Sequence, residues 1–201
     1  MPADWLADRR TEVAADRILD AAERLFTERD AASVGMNDIA KAAGCSRATL
    51  YRYFDSRDTL HTAYVHREAQ RLYRTLTERV GEVADPAARL VEGMLIALRS
   101  VRENPALSSW FAPTARPIGG EWAERSEVVK AMVETFVGSL GDADPDPDDV
   151  ERRARWLVRV LTSLLLFPGR DDDDERAMLA EFVVPVVLSG QTVTPASRPE
   201  P

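Results

Sequence analysis

With 201 residues, 45% of them apolar, the chain can form one large or two small domains around a sizeable core. Its formal charge of −8 argues against a general nucleic-acid coat, and a single cysteine, Cys45, leaves no internal disulfide. No apolar run reaches the roughly 18 residues of a membrane span, and MPADWLADRRTEVAAD is too charged for a signal peptide, so a cytoplasmic protein is expected.

Hydrophobic spacing predicts helices throughout. Residues 12–29 form the first, with Val13, Ile18, Ala22, Leu25 and Phe26 inward. Arg9 and Arg10 precede it, either as a basic arm reaching DNA or as a solvated end. Residues 35–57, GMNDIAKAAGCSRATLYRYFDSR, read as two short helices joined by a tight turn. Ile39, Ala40 and Ala43 stripe the first, Gly44 suits the positive φ that ends it, and Ser46 suits the N-cap of the second. Leu50 and Phe54 turn one face of that second helix inward. An apolar underside beneath an Arg, Thr and Tyr surface suits the major groove, and helix, Gly turn, helix is the order of a helix-turn-helix.

DIAKAAG, CSRATLYRYF and DSRDTL resemble the DNA-binding motif of the TetR (tetracycline-repressor-like) family of bacterial transcription regulators, over roughly residues 12–62. The resemblance implies an N-terminal three-helix DNA-binding domain and a C-terminal helical domain that dimerises and holds a small-molecule cavity. Where the family usually caps the first motif helix with Thr or Ser, this chain has Gly35, which offers no side-chain oxygen. The candidate DNA-binding set is Asn37, Lys41, Ser46, Arg47, Ala48, Thr49, Tyr51, Arg52, Tyr53 and Arg57. Arg47, Thr49, Tyr51 and Tyr53 are expected to face the major groove, with Asn37 near its edge and Lys41, Arg52 and Arg57 nearer phosphates. Residues 36–57 set Lys41, Arg47, Arg52 and Arg57 against Asp38 and Asp55 only. The first 80 residues balance acid and base, so the acidic excess lies beyond them. A small basic patch on an acidic body favours a local, oriented DNA contact.

Ser56 caps a long helix from Arg57 to about Val83, with Leu60, Tyr64, Leu72, Leu76 and Val80 inward. Asp85-Pro86 opens another, running to about Glu103, and Asn104-Pro105 breaks it. Ala106 to Phe111 is a short apolar helix closed by Pro113 and Pro117, and Glu121 to Leu140 is read as one helix. GDADPDP, residues 141–147, is a linker. Two last helices, Asp149 to Phe167 and Asp174 to Leu188, carry stripes too wide for one buried face, so a homodimer is expected there through Trp156, Val160, Leu164, Met178, Phe182 and Val186. Pro185 should kink or end the last.

The expected layout is all-α, with a helix-turn-helix DNA-binding domain over residues 1–56, a helical ligand-binding and dimerisation domain over 57–190, and a disordered tail over 191–201. Tyr64, Met94, Leu98, Leu107, Trp110, Phe111, Met132, Phe136 and Trp156 are the candidate ligand-binding residues, as walls of an apolar effector cavity or simply as core. Asp142, Asp144, Asp146 and Asp148 alternate like a calcium loop, but Pro147 and Arg153 stand where that loop needs Gly and Glu. Asp171 to Asp174 reads as a helix cap. His61 and His66 are spaced poorly for a metal, and no catalytic residue, metal or cofactor is expected. The leading reading is a ligand-responsive transcription regulator, a repressor that binds a palindromic double-stranded DNA operator as a homodimer and is released by a small hydrophobic effector. The alternatives are an architectural DNA-binding protein without an effector and a small helical enzyme.

Overall fold

The computed structural model describes residues 5–112, 118–141 and 146–188, and among them there is no strand. The helices are α1 (Trp5–Glu28), α2 (Met36–Ala43), α3 (Arg47–Tyr53), α4 (Arg57–Val80), α5 (Pro86–Glu103), α6 (Pro105–Phe111), α7 (Gly119–Arg125), α8 (Glu127–Gly138), α9 (Pro147–Leu166), α10 (Asp172–Met178) and α11 (Val184–Leu188). A 3-10 turn (Ala31–Ser33) separates α1 from α2, and a π turn (Leu179–Val183) joins α10 to α11. No described helix is long and apolar enough to cross a membrane.

The chain divides into two compact units. The first combines residues 1–68 with 101–126, the second 69–100 with 127–201. This division falls inside α4, and it groups α6 and α7 with the helix-turn-helix. The core of the first unit gathers Ile18, Ala22 and Phe26 of α1, Ile39 and Ala40 of α2, Leu50 of α3, Leu60 and Tyr64 of α4 and Trp110 of α6. Within the second unit, Leu76 and Val80 of α4 pack with Ile96 of α5, and Phe136 of α8 packs against them. Gly93 lets α5 accept that ring, because a Cβ there would lie 2.6 Å from Phe136 Cζ.

Several local expectations are corrected. Helix α1 begins at Trp5, so Arg9 and Arg10 lie within it rather than before it. Leu, Ala, Arg and Glu in residues 5–12 are good helix formers, and no Gly or Pro interrupts them. Val13 is 60% exposed, because it sits about two and a half turns from Ala22 and so on the opposite face. The helix expected over Glu121 to Leu140 is two, broken at Ser126, whose backbone is extended at φ −81 and ψ 111. Ser tolerates such a break, because its hydroxyl competes for nearby backbone groups. Asp146 caps α9 by accepting from Asp148 N at 3.1 Å, which moves the start to Pro147. Asp171 caps α10 by accepting from Asp174 N at 2.9 Å. The last helix is deformed just before Pro185. Val184 N donates to Leu179 O, five residues back, which is the π spacing. A proline ring clashes with the carbonyl four residues before it, and one extra residue in the turn relieves that clash. Pro113, Pro117, Asp142, Asp144 and the tail over 191–201 lie outside the described residues.

Candidate nucleic-acid interface

Helices α2 and α3 are held at a fixed angle by the residues between them. Gly44 takes φ 68, the one positive φ among the described residues, and its N–H reaches Ala40 O and Lys41 O. Ser46 Oγ accepts from Thr49 N at 3.0 Å and contacts Thr49 Oγ1 at 2.9 Å, so the recognition helix has a satisfied N-cap. At the start of α2, Gly35 supplies no side-chain cap, but Asp38 Oδ2 accepts from Gly35 N at 3.2 Å. Half of a capping box thus survives without the hydroxyl.

Leu50 and Phe54 are buried beneath α3, and Ile39 and Ala40 beneath α2. Asn37, Lys41, Ser46, Arg47, Ala48 and Arg52 are exposed, whereas Thr49, Tyr51 and Tyr53 are half-buried. Tyr51 and Tyr53 also pack against the core, so their rings are anchored at one side. The Arg47 guanidinium lies 5.3 Å from the Tyr51 ring centre, and that of Arg52 lies 5.2 Å from Tyr53. Each tyrosine therefore carries an arginine across its face, which restrains a long cationic side chain before any partner arrives.

Arg57 Nη2 donates to Ala31 O at 2.8 Å and Ala32 O at 2.7 Å, so this guanidinium clamps the 3-10 turn. One turn on, His61 is 3% exposed, and its imidazole pKa is lowered from 6.5 to about 4. Burial is the main cause and the Arg57 charge adds to it, against a smaller opposing effect of Asp58. His61, considered in the sequence only as a metal ligand, sits among aromatic rings from α1, α6 and α7. Those rings lie 35 or more residues from His61 in sequence, so no local pattern marks the cluster. Among the described residues no group of three or more His, Cys, Asp or Glu could hold a metal ion.

The nine candidate ligand residues do not gather in one unit. Tyr64, Leu107, Trp110 and Phe111 belong to the core cluster of the first. Met94, Leu98, Met132, Phe136 and Trp156 belong to the second, where Met94 and Leu98 are buried and Trp156 is 44% exposed. Trp156 therefore lines no closed interior. An open groove of about 600 Å³ on the second unit is lined by Ala69, Gln70, Tyr73, Arg74, Val128, Ala131, Met132 and Thr135, and shares only Met132 with the nine.

An all-helical chain that presents a capped recognition helix with stacked arginines, on a helix-turn-helix, is a DNA-binding regulator of the helix-turn-helix class. The model for bacterial regulatory proteins of the tetR family matches residues 18–64. The chain is 65% identical over 194 residues to the HTH-type transcriptional regulator Rv1255c of Mycobacterium tuberculosis H37Rv, covering 96% of this chain and 92% of that one. The crystal structure of the TetR family repressor AlkX from Dietzia sp. strain DQ12-45-1b, implicated in biodegradation of n-alkanes, superposes with a TM-score of 0.61 at 23% identity. That match covers 85% of this chain and 96% of the other. RolR in complex with resorcinol superposes with a TM-score of 0.64 at 18% identity, covering 90% of each chain. The chain belongs to the TetR family of bacterial transcription regulators.

Proposed function

We propose that the protein is a cytoplasmic homodimeric repressor that reads a two-fold symmetric duplex operator and is released by a small hydrophobic effector. The exposed face of α3, with Arg47 laid on Tyr51, carries this reading. Arg47, Thr49, Tyr51 and Tyr53 approach base edges, and Asn37, Lys41 and Arg52 approach the groove edge and phosphates. The dimer reading is supported by the apolar side chains that α9, the π turn and α11 leave exposed, namely Trp156, Phe182 and Val186. A family repressor implicated in biodegradation of n-alkanes supports an apolar effector, and a fold relative that binds resorcinol supports a small one. The groove that contains Tyr73 and Met132 is its seat in this reading, because its walls are mostly apolar with few polar groups.

An effector can release DNA only by binding the DNA-incompetent form more tightly. An architectural DNA binder without an effector is disfavoured by the net charge of −8. Sedimentation of the protein with a selected duplex tests the assembly. Two protomers per inverted repeat are expected, and a monomer at micromolar concentration contradicts it. A thermal-shift panel of alkanols and phenols tests the effector class. Hits that vanish in Met132→Glu support it, and hits unchanged by that substitution place the site elsewhere.

A further inference from the structure

Helix α6 is tied to α4 at its start and to α1 and α4 near its end. At its start, Asn104 Oδ1 accepts from Ala106 N at 3.0 Å and Leu107 N at 3.2 Å, while Asn104 Nδ2 donates to Glu68 Oε2 of α4 at 3.3 Å. Near its end, Trp110 is 2% exposed and enters an aromatic seat. Its indole meets Phe26 of α1 edge-on at 5.5 Å, stacks on Tyr64 of α4 at 5.6 Å and lies 5.0 Å from His61. Trp122 of α7 closes the seat, 5.5 Å from His61 and 6.3 Å from Trp110.

The seat belongs to the same buried cluster as the underside of the recognition machinery. Phe26 shares the core of α1 with Ile18, Leu19 and Ala22, the same cluster that buries Ile39 of α2 and Leu50 of α3. His61 is one turn from Arg57, which grips the carbonyls of the turn that leads into α2. The seat is also incompletely satisfied. Trp110 Nε1 and His61 Nε2 are both buried without a hydrogen-bond partner. A seat of the same shape lined only by apolar atoms would close more firmly, because buried unpaired polar atoms carry their full desolvation penalty.

We propose that Trp110 is a positioning residue for DNA binding, whose indole in the Phe26–His61–Tyr64 seat holds α1 and the helix-turn-helix in the DNA-competent arrangement. Helix α6 is then an arm of the DNA-binding unit, pinned at Asn104, and withdrawal of Trp110 loosens α2 and α3. This rests on the reading of α3 as a DNA-recognition helix and needs no assumption about the effector.

The test uses the full-length chain, a duplex that the wild type selects from a random library, and indole as probe. Trp110→Ala opens a cavity walled by the rings of Phe26, His61 and Tyr64, with the space of the lost indole, and engineered cavities take up small aromatic molecules. Affinity for the duplex should fall about tenfold, within the range of couplings carried through packed side chains. Added indole should restore it, while leaving wild-type affinity unchanged. A folded Trp110→Ala protein with wild-type affinity overturns the proposal. So does a protein that indole stabilises against heat without any recovery of DNA affinity, which is the result a purely structural core residue gives. If Trp110→Ala does not fold, Trp110→Phe decides, with weaker duplex binding expected and unchanged binding overturning the idea. A wild type that selects no duplex overturns the DNA-recognition reading and this proposal together.

Discussion

The two compact units treat their large aromatic residues in opposite ways. The first buries Phe26, Tyr64 and Trp110 almost completely. The second leaves Phe167 77% exposed and Phe182 61% exposed. A unit that hides its aromatics spends them on its own packing, and one that displays them after α9 and in the π turn is expected to meet another surface. Removing an aromatic should therefore damage the fold of the first unit and the association of the second.

The largest effect is expected from Phe26→Ala, a loss of about 3–5 kcal/mol of stability in urea unfolding. Phe182→Ala should change the stability of the isolated protomer by no more than about 0.5 kcal/mol, yet raise the dimer dissociation constant in sedimentation. Equal losses of stability for both would erase the contrast between the units.

Acid should act on the first unit through His61. Its pKa of about 4 in the folded protein lies below its ordinary 6.5. The folded state therefore binds fewer protons than the unfolded state across that interval. The contribution is full above pH 6.5 and is lost as the pH falls toward about 4, amounting to about 3 kcal/mol at most. His61→Phe should flatten this part of the stability profile, and a slope that persists in the variant would contradict the assignment.

Arg57 sharpens the same contrast, because it serves the first unit internally. Arg57→Gln should lower stability by about 1.5–3 kcal/mol, the scale of hydrogen bonds from a charged donor. The salt dependence of DNA binding should stay unchanged. A salt slope reduced by about one would restore Arg57 to a phosphate contact. The smallest effect is expected at Gly35. Gly35→Ser supplies the missing cap hydroxyl, its Cβ would sit in ordinary contact 3.7 Å from Asp38 Oδ2, and the gain should be a few tenths of a kcal/mol.

The sequence made the recognition motif legible because its signals are local. Gly44 at positive φ, Ser46 as a cap, and Leu50 and Phe54 inward are all decided within one or two turns of chain. The Trp110 seat was not legible. Periodicity marks Tyr64 and Trp110 as inward-facing but cannot say that they meet Phe26, more than thirty residues before either. For the same reason the sequence does not show that the nine candidate ligand residues divide between two compact units. Phosphate was the expectation for Arg57 because charge pattern is visible in a sequence, while the carbonyls of Ala31 and Ala32 that receive its guanidinium are not.

Arg47 on α3 is the side chain expected to read duplex DNA. Selection of bound sequences from a random duplex library, run in parallel for the wild type and Arg47→Ala, tests it most directly. The wild type should enrich an inverted repeat. Arg47→Ala should lose base preference at one position in each half-site, a discrimination worth about 1–3 kcal/mol, while keeping preference elsewhere. No enrichment by the wild type, or the same motif at the same strength from both proteins, would contradict the account.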